Sequence, residues 1–117
     1  MKKLITIDFD DTLCYYNEIS KPNKKLIKLI KTLSAKNYLF YIVTARSKEY
    51  DNIFSSLKID KFIEEYSLPI EKVVYTDGEM KGKTLKKLKS RLHIDNDLDQ
   101  IKSCKESGIK TIYLRNL

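Results

Sequence analysis

Short apolar runs alternate along this chain with stretches in which apolar positions recur every three or four residues. Leu4-Ile5-Thr6-Ile7 predicts a buried strand over residues 3–8. Between Asn23 and Lys36, the positions Leu26, Ile27, Leu29, Ile30 and Leu33 have helical spacing, with lysines between them. Tyr38-Leu39-Phe40-Tyr41-Ile42-Val43 predicts a second buried strand ending at Thr44. Ser47 is placed to cap a helix whose inner face is Tyr50, Ile53, Phe54 and Leu57. Phe62, Ile63 and Tyr66 predict a short helix, and Pro69 precedes a strand over Lys72–Thr76. Gly82 breaks the chain ahead of a lysine-rich helix containing Leu85 and Leu88, and Arg91–Ile94 is a short strand ending at Asp95. Leu98, Ile101 and Cys104 mark another helix, with Gly108 at the C′ position, before a last strand over Lys110–Leu114.

Five strands separated by helices, with apolar runs in place of clean alternation, predict an α/β fold: a five-stranded parallel sheet covered on both faces, three layers in all and Rossmann-like. Right-handed crossovers follow. Ligands of such sheets bind beyond the carboxyl ends of the strands, and the polar residues at those ends are Asp8, Asp10, Thr44, Thr76, Asp77 and Asp95. Ending a core strand in acid needs a reason, because a desolvated carboxylate is costly without a cation or hydrogen bonds. Side chains alternate along an extended chain, so Asp8 and Asp10 share a side while Phe9 turns away. Two carboxylates converging there are a place to hold Mg²⁺.

A length of 117 residues suits one domain, 1–117, and is too short for two. Hydrophobic residues at 42% and charged residues at 33% describe a globular protein and exclude a disordered chain. No stretch approaches the ~18 apolar residues of a membrane span, and the apolar run after Met1-Lys2-Lys3 is too short for a signal peptide. The expected location is the cytoplasm, with no membrane partner. Cys14 and Cys104 have no metal-ligand spacing and read as buried thiols. The net charge of +7 is compatible with anionic partners, nucleic acid among them, and equally with lysines that only solvate helix faces. Lys81, Lys83, Lys86, Lys87, Lys89 and Arg91 crowd one segment.

The motifs, in order, resemble those of the haloacid dehalogenase-like hydrolases. Asp8-Phe9-Asp10-Asp11-Thr12 is similar to that family's first motif, Ile42-Val43-Thr44 to its second, a lysine at a helix start to its third and His93-Ile94-Asp95-Asn96-Asp97 to its acidic fourth. The resemblance covers essentially the whole chain. It implies the family's fold and a Mg²⁺-dependent phosphatase working through an aspartyl-phosphate. Asp8 is then the nucleophile, and Asp10 protonates the leaving oxygen and afterwards activates water. Thr44 donates a hydrogen bond to the phosphoryl oxygens, and the lysine offsets charge in the transition state. Asp8, Asp95 and the backbone carbonyl of Asp10 form the metal set. Asp11 has no catalytic role, and Thr12 supports the loop.

The lysine is Lys83 or Lys81; Gly82-Lys83 opening the helix favours Lys83. Where the fourth motif often has adjacent acids, this chain has Asn96 followed by Asp97 and Asp99, so the outer metal shell falls to Asn96 or Asp99. His93 reads as a packed, hydrogen-bonded core histidine, and Arg46 as a substrate-phosphate contact or a surface arginine. Between Thr12 and Thr44 there is room for a loop and one helix, and between Thr44 and Lys83 only for what the sheet needs, so no cap domain is expected. An uncapped site admits large phosphorylated substrates, such as a nucleic-acid end or a phosphoprotein. The alternatives are a nucleotide or small-metabolite phosphatase lidded by another subunit, and a noncatalytic basic module binding nucleic acid or resembling a phospho-receiver domain. A phosphonatase or dehalogenase fits less well with an acid at Asp10. The sequence leaves the oligomeric state open.

Overall fold

The structure is a computed structural model that describes residues 2–16 and 20–116. Its strands are β1 (Lys3–Ile7), β2 (Cys14–Tyr16), β3 (Ser20–Pro22), β4 (Tyr38–Thr44), β5 (Ile70–Tyr75), β6 (Leu92–Asp95) and β7 (Thr111–Tyr113). Its α-helices are α1 (Lys24–Ser34), α2 (Ile59–Glu65), α3 (Gly82–Leu88) and α4 (Leu98–Glu106). Five strands form one parallel sheet in the order β5-β4-β1-β6-β7. The expected α/β Rossmann-like sandwich is therefore present.

The pleat of β1 sorts its residues between the two layers. Ile5 and Ile7 join Phe40, Ile42 and Ile94 in a core closed by Leu26, Ile27 and Ile30 of α1 and by Ile59 and Phe62 of α2. Phe9 and Phe62 meet edge-on there, ring centroids 5.1 Å apart, a favoured aromatic geometry. Val43 points to the other layer, with Leu85 of α3 and Cys104 of α4. Burying these apolar faces is the main stabilising term. Helix α1 starts where expected, because the Asn23 side chain accepts the Leu26 N–H at 3.1 Å. Past α4, Gly108 takes a positive φ of 80°, a conformation that costs glycine little.

The segment after β4 departs from its pattern. Tyr50–Phe54 is one π-helical turn, and Tyr50, Ile53 and Phe54 are 48%, 65% and 68% exposed. Ser47 Oγ does accept the Tyr50 N–H at 3.0 Å. The buried member of the turn is Asp51, because it has ionic and hydrogen-bonding partners inside. Leu98 is likewise exposed, at the outer side of the first turn of α4. The two-stranded hairpin β2–β3, with Cys14 opposite Pro22, was not legible as strands. It is the only described element between β1 and α1, so no cap domain stands there among the described residues. No described helix is long and apolar enough to cross a membrane.

Candidate functional site

The carboxyl ends of β1, β4 and β6 converge on one pocket of about 500 Å³ lined by Asp8, Asp10, Lys81, Asp95 and Asn96, among others. Asp8 follows β1 directly, and its N–H extends the ladder onto Ile94 O of β6 at 3.0 Å, which brings it beside Asp95. The loop then tightens around Phe9, whose carbonyl accepts the N–H groups of Thr12, Leu13 and Cys14. Asp11 turns the chain with φ 58°, a conformation aspartate tolerates better than most residues. Thr12 Oγ1 donates to Asp8 Oδ2 at 3.1 Å and to Asn96 Oδ1 at 3.3 Å, joining the first and fourth motifs.

The lysine at the centre is Lys81, not Lys83. Lys81 Nζ lies 2.8 Å from Asp8 Oδ1 and 2.8 Å from Asp95 Oδ2, with its side chain 1% exposed. Lys83 is exposed, one residue into α3. The reason lies in the packing of α3 on α4. A Cβ at Gly82 would lie 2.6 Å from Ser103 O and 2.5 Å from Ser107 Oγ, so only glycine lets the start of α3 approach α4 this closely. The approach is pinned by the Lys81 N–H donating to Gln100 Oε1 at 2.9 Å. The residue before the glycine thereby faces the acids, and the residue after it faces solvent.

The remaining polar groups interlock. Asp95 Oδ1 accepts the Asp97 N–H at 3.1 Å. Asp95 Oδ2 accepts from Lys81 and lies 2.8 Å from His93 Nε2. Burial alone would raise the Asp95 carboxyl, but the His93 hydrogen bond and the Lys81 charge hold it at about 2. Burial lowers the pKa of His93, with the Asp95 hydrogen bond opposing. The Asp95 carboxylate can only accept, so Nε2–H donates to it, and Nδ1 lies 2.8 Å from Thr6 Oγ1. His93 is thus a packed histidine that orients Asp95. Burial pushes the Asp8 carboxyl up to about 7, with Lys81 opposing and Asp95 adding to the rise. Lys81 loses to burial and gains more from Asp8 and Asp95, so it stays charged.

The other expected site residues fall as follows. Thr44 ends β4 fully buried, its Oγ1 accepting the Arg46 N–H at 3.2 Å, and Ala45 lines the pocket beside it. Arg46 is buried, not a surface arginine, and its guanidinium is engaged by protein groups. Its Nε and Nη2 fork onto Asp10 at 2.8 and 2.6 Å, and Nη1 binds Asp51, Ser55 Oγ and Leu57 O. Asn96 lines the pocket with Asp97, whereas Asp99 is exposed in the first turn of α4. Asp51 was missed, because a lone acid inside an apolar-spaced segment reads as the solvent face.

No three His, Cys, Asp or Glu side chains converge as a ready-made metal cage among the described residues. Mg²⁺ asks for less, since it keeps several waters and takes one or two carboxylates. Asp8 and Asp95 supply hard oxygen ligands, and two buried acids sharing one ammonium leave room for more positive charge. The donor set fits that ion.

Fold and pocket together define an α/β protein with an acid–lysine centre at the carboxyl edge of a parallel sheet. Residues 5–69 match the model of the haloacid dehalogenase-like hydrolases, more than half of the chain, and the chain belongs to that family. Among curated proteins, none matches it in sequence. In fold it is similar to a chain of the Pnkp1/Rnl/Hen1 RNA repair complex, with TM-score 0.77, 13% identity, and coverage of 96% of this chain and 42% of that one. It therefore spans less than half of that repair chain. A second neighbour is a Bacteroides thetaiotaomicron haloacid dehalogenase family enzyme in complex with magnesium and inorganic phosphate (TM-score 0.61, 9% identity, 97% of this chain and 94% of that one). A third is 3-deoxy-D-manno-octulosonate 8-phosphate phosphatase from Moraxella catarrhalis, in complex with magnesium and phosphate ions (TM-score 0.57, 21% identity, 92% and 64%). At these identities the likeness is one of fold.

Proposed function

We propose that this chain is a Mg²⁺-dependent phosphomonoesterase that works through an aspartyl-phosphate on Asp8. The observation that carries the reading is Lys81 Nζ bridging Asp8 and Asp95 at 2.8 Å each, in a pocket that Asp10 also lines. A purely structural role for this trio is disfavoured, since burying two carboxylates against one ammonium costs more than an apolar core of the same volume.

The carboxylate of Asp8 attacks phosphorus and the bond to the leaving oxygen breaks, while Asp10, protonated from solvent on its open side, gives that oxygen its proton. Water then attacks the phosphorus of the aspartyl-phosphate while Asp10 takes the water's proton, releasing inorganic phosphate and restoring Asp8. Asp10 suits this work by exposure: its side chain is 38% open, against 9% for Asp8. Lys81 offsets negative charge from inside the protein, where the low dielectric strengthens its effect. Thr44 holds the turn after β4 by accepting the Arg46 N–H, which sets Ala45 against the pocket. Asp8, Asp95 and the Asp10 carbonyl would hold Mg²⁺, which supplies the charge that keeps Asp8 ionised and offsets the phosphate's own.

The open pocket, the net charge of +7 and the fold shared with an RNA repair component favour a phosphorylated nucleic-acid end over a small metabolite. The deciding experiment compares phosphate release from a 3′-phosphorylated oligonucleotide, a nucleoside monophosphate and a sugar phosphate, with and without Mg²⁺. The proposal expects the highest kcat/KM on the oligonucleotide and a steep loss with salt. Preference for the sugar phosphate would point to the small-molecule alternative.

A further inference from the structure

We infer that Asp51, a buried acid outside the pocket, is a positioning residue that aims Asp10 through Arg46; this rests on the proton-transfer role proposed for Asp10. Asp51 is 1% exposed in the π-helical turn after β4. Three donors fix it: Arg46 Nη1 in the loop after β4 at 2.8 Å, the N–H of Ile59 at the start of α2 at 3.1 Å, and the Tyr75 hydroxyl at the end of β5 at 2.7 Å. The opposite side of the same guanidinium forks onto both oxygens of Asp10. Two rings confine it as well, Phe9 at 5.1 Å and Tyr50 at 5.6 Å from the guanidinium carbon.

The consequence is a strut from the buried side of the π-helical turn to the pocket. Asp10 sits on a loop, is partly open to solvent and would otherwise sample several rotamers. A bidentate fork fixes both its distance and its plane. The fork is only as well placed as the guanidinium, which Asp51, Ser55 and Leu57 hold from behind. Burial of Arg46 without a counter-charge would also be costly, and Asp51 supplies that charge in the interior. A general acid must stand within hydrogen-bond reach of the leaving oxygen, so small displacements of Asp10 weaken protonation before they weaken binding.

A structural role alone and a positioning role separate on leaving-group dependence. p-Nitrophenolate departs with little protonation, whereas phenolate, a far stronger base, leaves well only when an acid serves it. The test measures kcat/KM of wild type, Asp51→Asn and Tyr75→Phe on p-nitrophenyl phosphate and phenyl phosphate, with folding followed by circular dichroism. General-acid catalysis contributes about 10²–10⁴-fold, so partial misplacement should cost roughly 10-fold on phenyl phosphate. The expected result is a rise of that order in the preference of Asp51→Asn for the nitrophenyl ester. Tyr75→Phe, which keeps the ring and removes one donor to Asp51, should move the same way by less and carries the test if Asp51→Asn does not fold. Equal losses on both esters, or none, in a folded variant overturn the inference while leaving the phosphatase reading intact. If wild type hydrolyses neither ester, the phosphatase reading fails first and the inference falls with it.

Discussion

Replacing Lys81 by Met keeps the volume and the aliphatic stem of the side chain and removes its charge. Asp8 and Asp95 are then left facing each other without the ammonium that both now bind at 2.8 Å. Removing one partner from a buried ion pair costs about 3–5 kcal/mol, because the remaining charge is uncompensated. With an unfolding entropy of roughly 2.1 cal/mol/K per residue, a chain of 117 residues changes its Tm by about 4 °C per kcal/mol. The expected fall is therefore about 12–20 °C in Mg²⁺-free buffer, measured by thermal circular dichroism. The same variant should lose phosphate release from p-nitrophenyl phosphate. Lys83→Met, on the solvent face, should stay within about 0.5 kcal/mol of wild type and keep its activity. Adding Asp95→Asn to Lys81→Met should recover part of the lost stability, since the two positions are in direct contact and couple. The reasoning is refuted if Lys81→Met melts like wild type, or if Lys83→Met is the variant that loses activity.

Other expectations follow from the same geometry. Gly82→Ala should destabilise by about 1–3 kcal/mol, because the new methyl meets the Ser103 carbonyl at 2.6 Å and α3 must move off α4; denaturant melts check this. Asp8 has a folded pKa raised from 3.8 to about 7, so without Mg²⁺ its ionisation opposes folding, and stability should decline as pH rises from about 4 towards 7. Asp8→Asn should flatten that decline in Tm-against-pH profiles. Burial pushes the Cys104 thiol up to about 11 and raises Cys14 as well, so both should resist iodoacetamide in the folded protein and react fast in urea, as mass spectrometry would read.

Much of the framework was legible because it rests on periodicity. Apolar runs at residues 4–7 and 38–43 could only be buried strands, and the lysine-interleaved spacing of residues 26–33 could only be a one-sided helix. The strand-end acids were legible for the same reason, since a core strand that stops at Asp8 or Asp95 puts its carboxylate at the sheet edge. What failed was local. Lys81 and Lys83 flank one glycine, and choosing between them needs the distance from Gly82 to Ser103, 21 residues later on α4. The segment from Tyr50 to Phe54 has helical spacing, yet its apolar side faces out because Asp51 has Arg46, Tyr75 and Ile59 to bind inside. The ion pairs of Arg46 were not legible for a related reason: its partners, Asp10 and Asp51, stand 36 residues before it and 5 after it, and no spacing rule links them.

The most direct test of the central claim is release of inorganic phosphate from p-nitrophenyl phosphate by wild type and Asp8→Asn, each with Mg²⁺ and with the metal chelated. The account predicts release by wild type only with Mg²⁺ and none above background by Asp8→Asn, although both are folded. Release by Asp8→Asn at the wild-type rate, or no release by wild type with Mg²⁺ present, would contradict it.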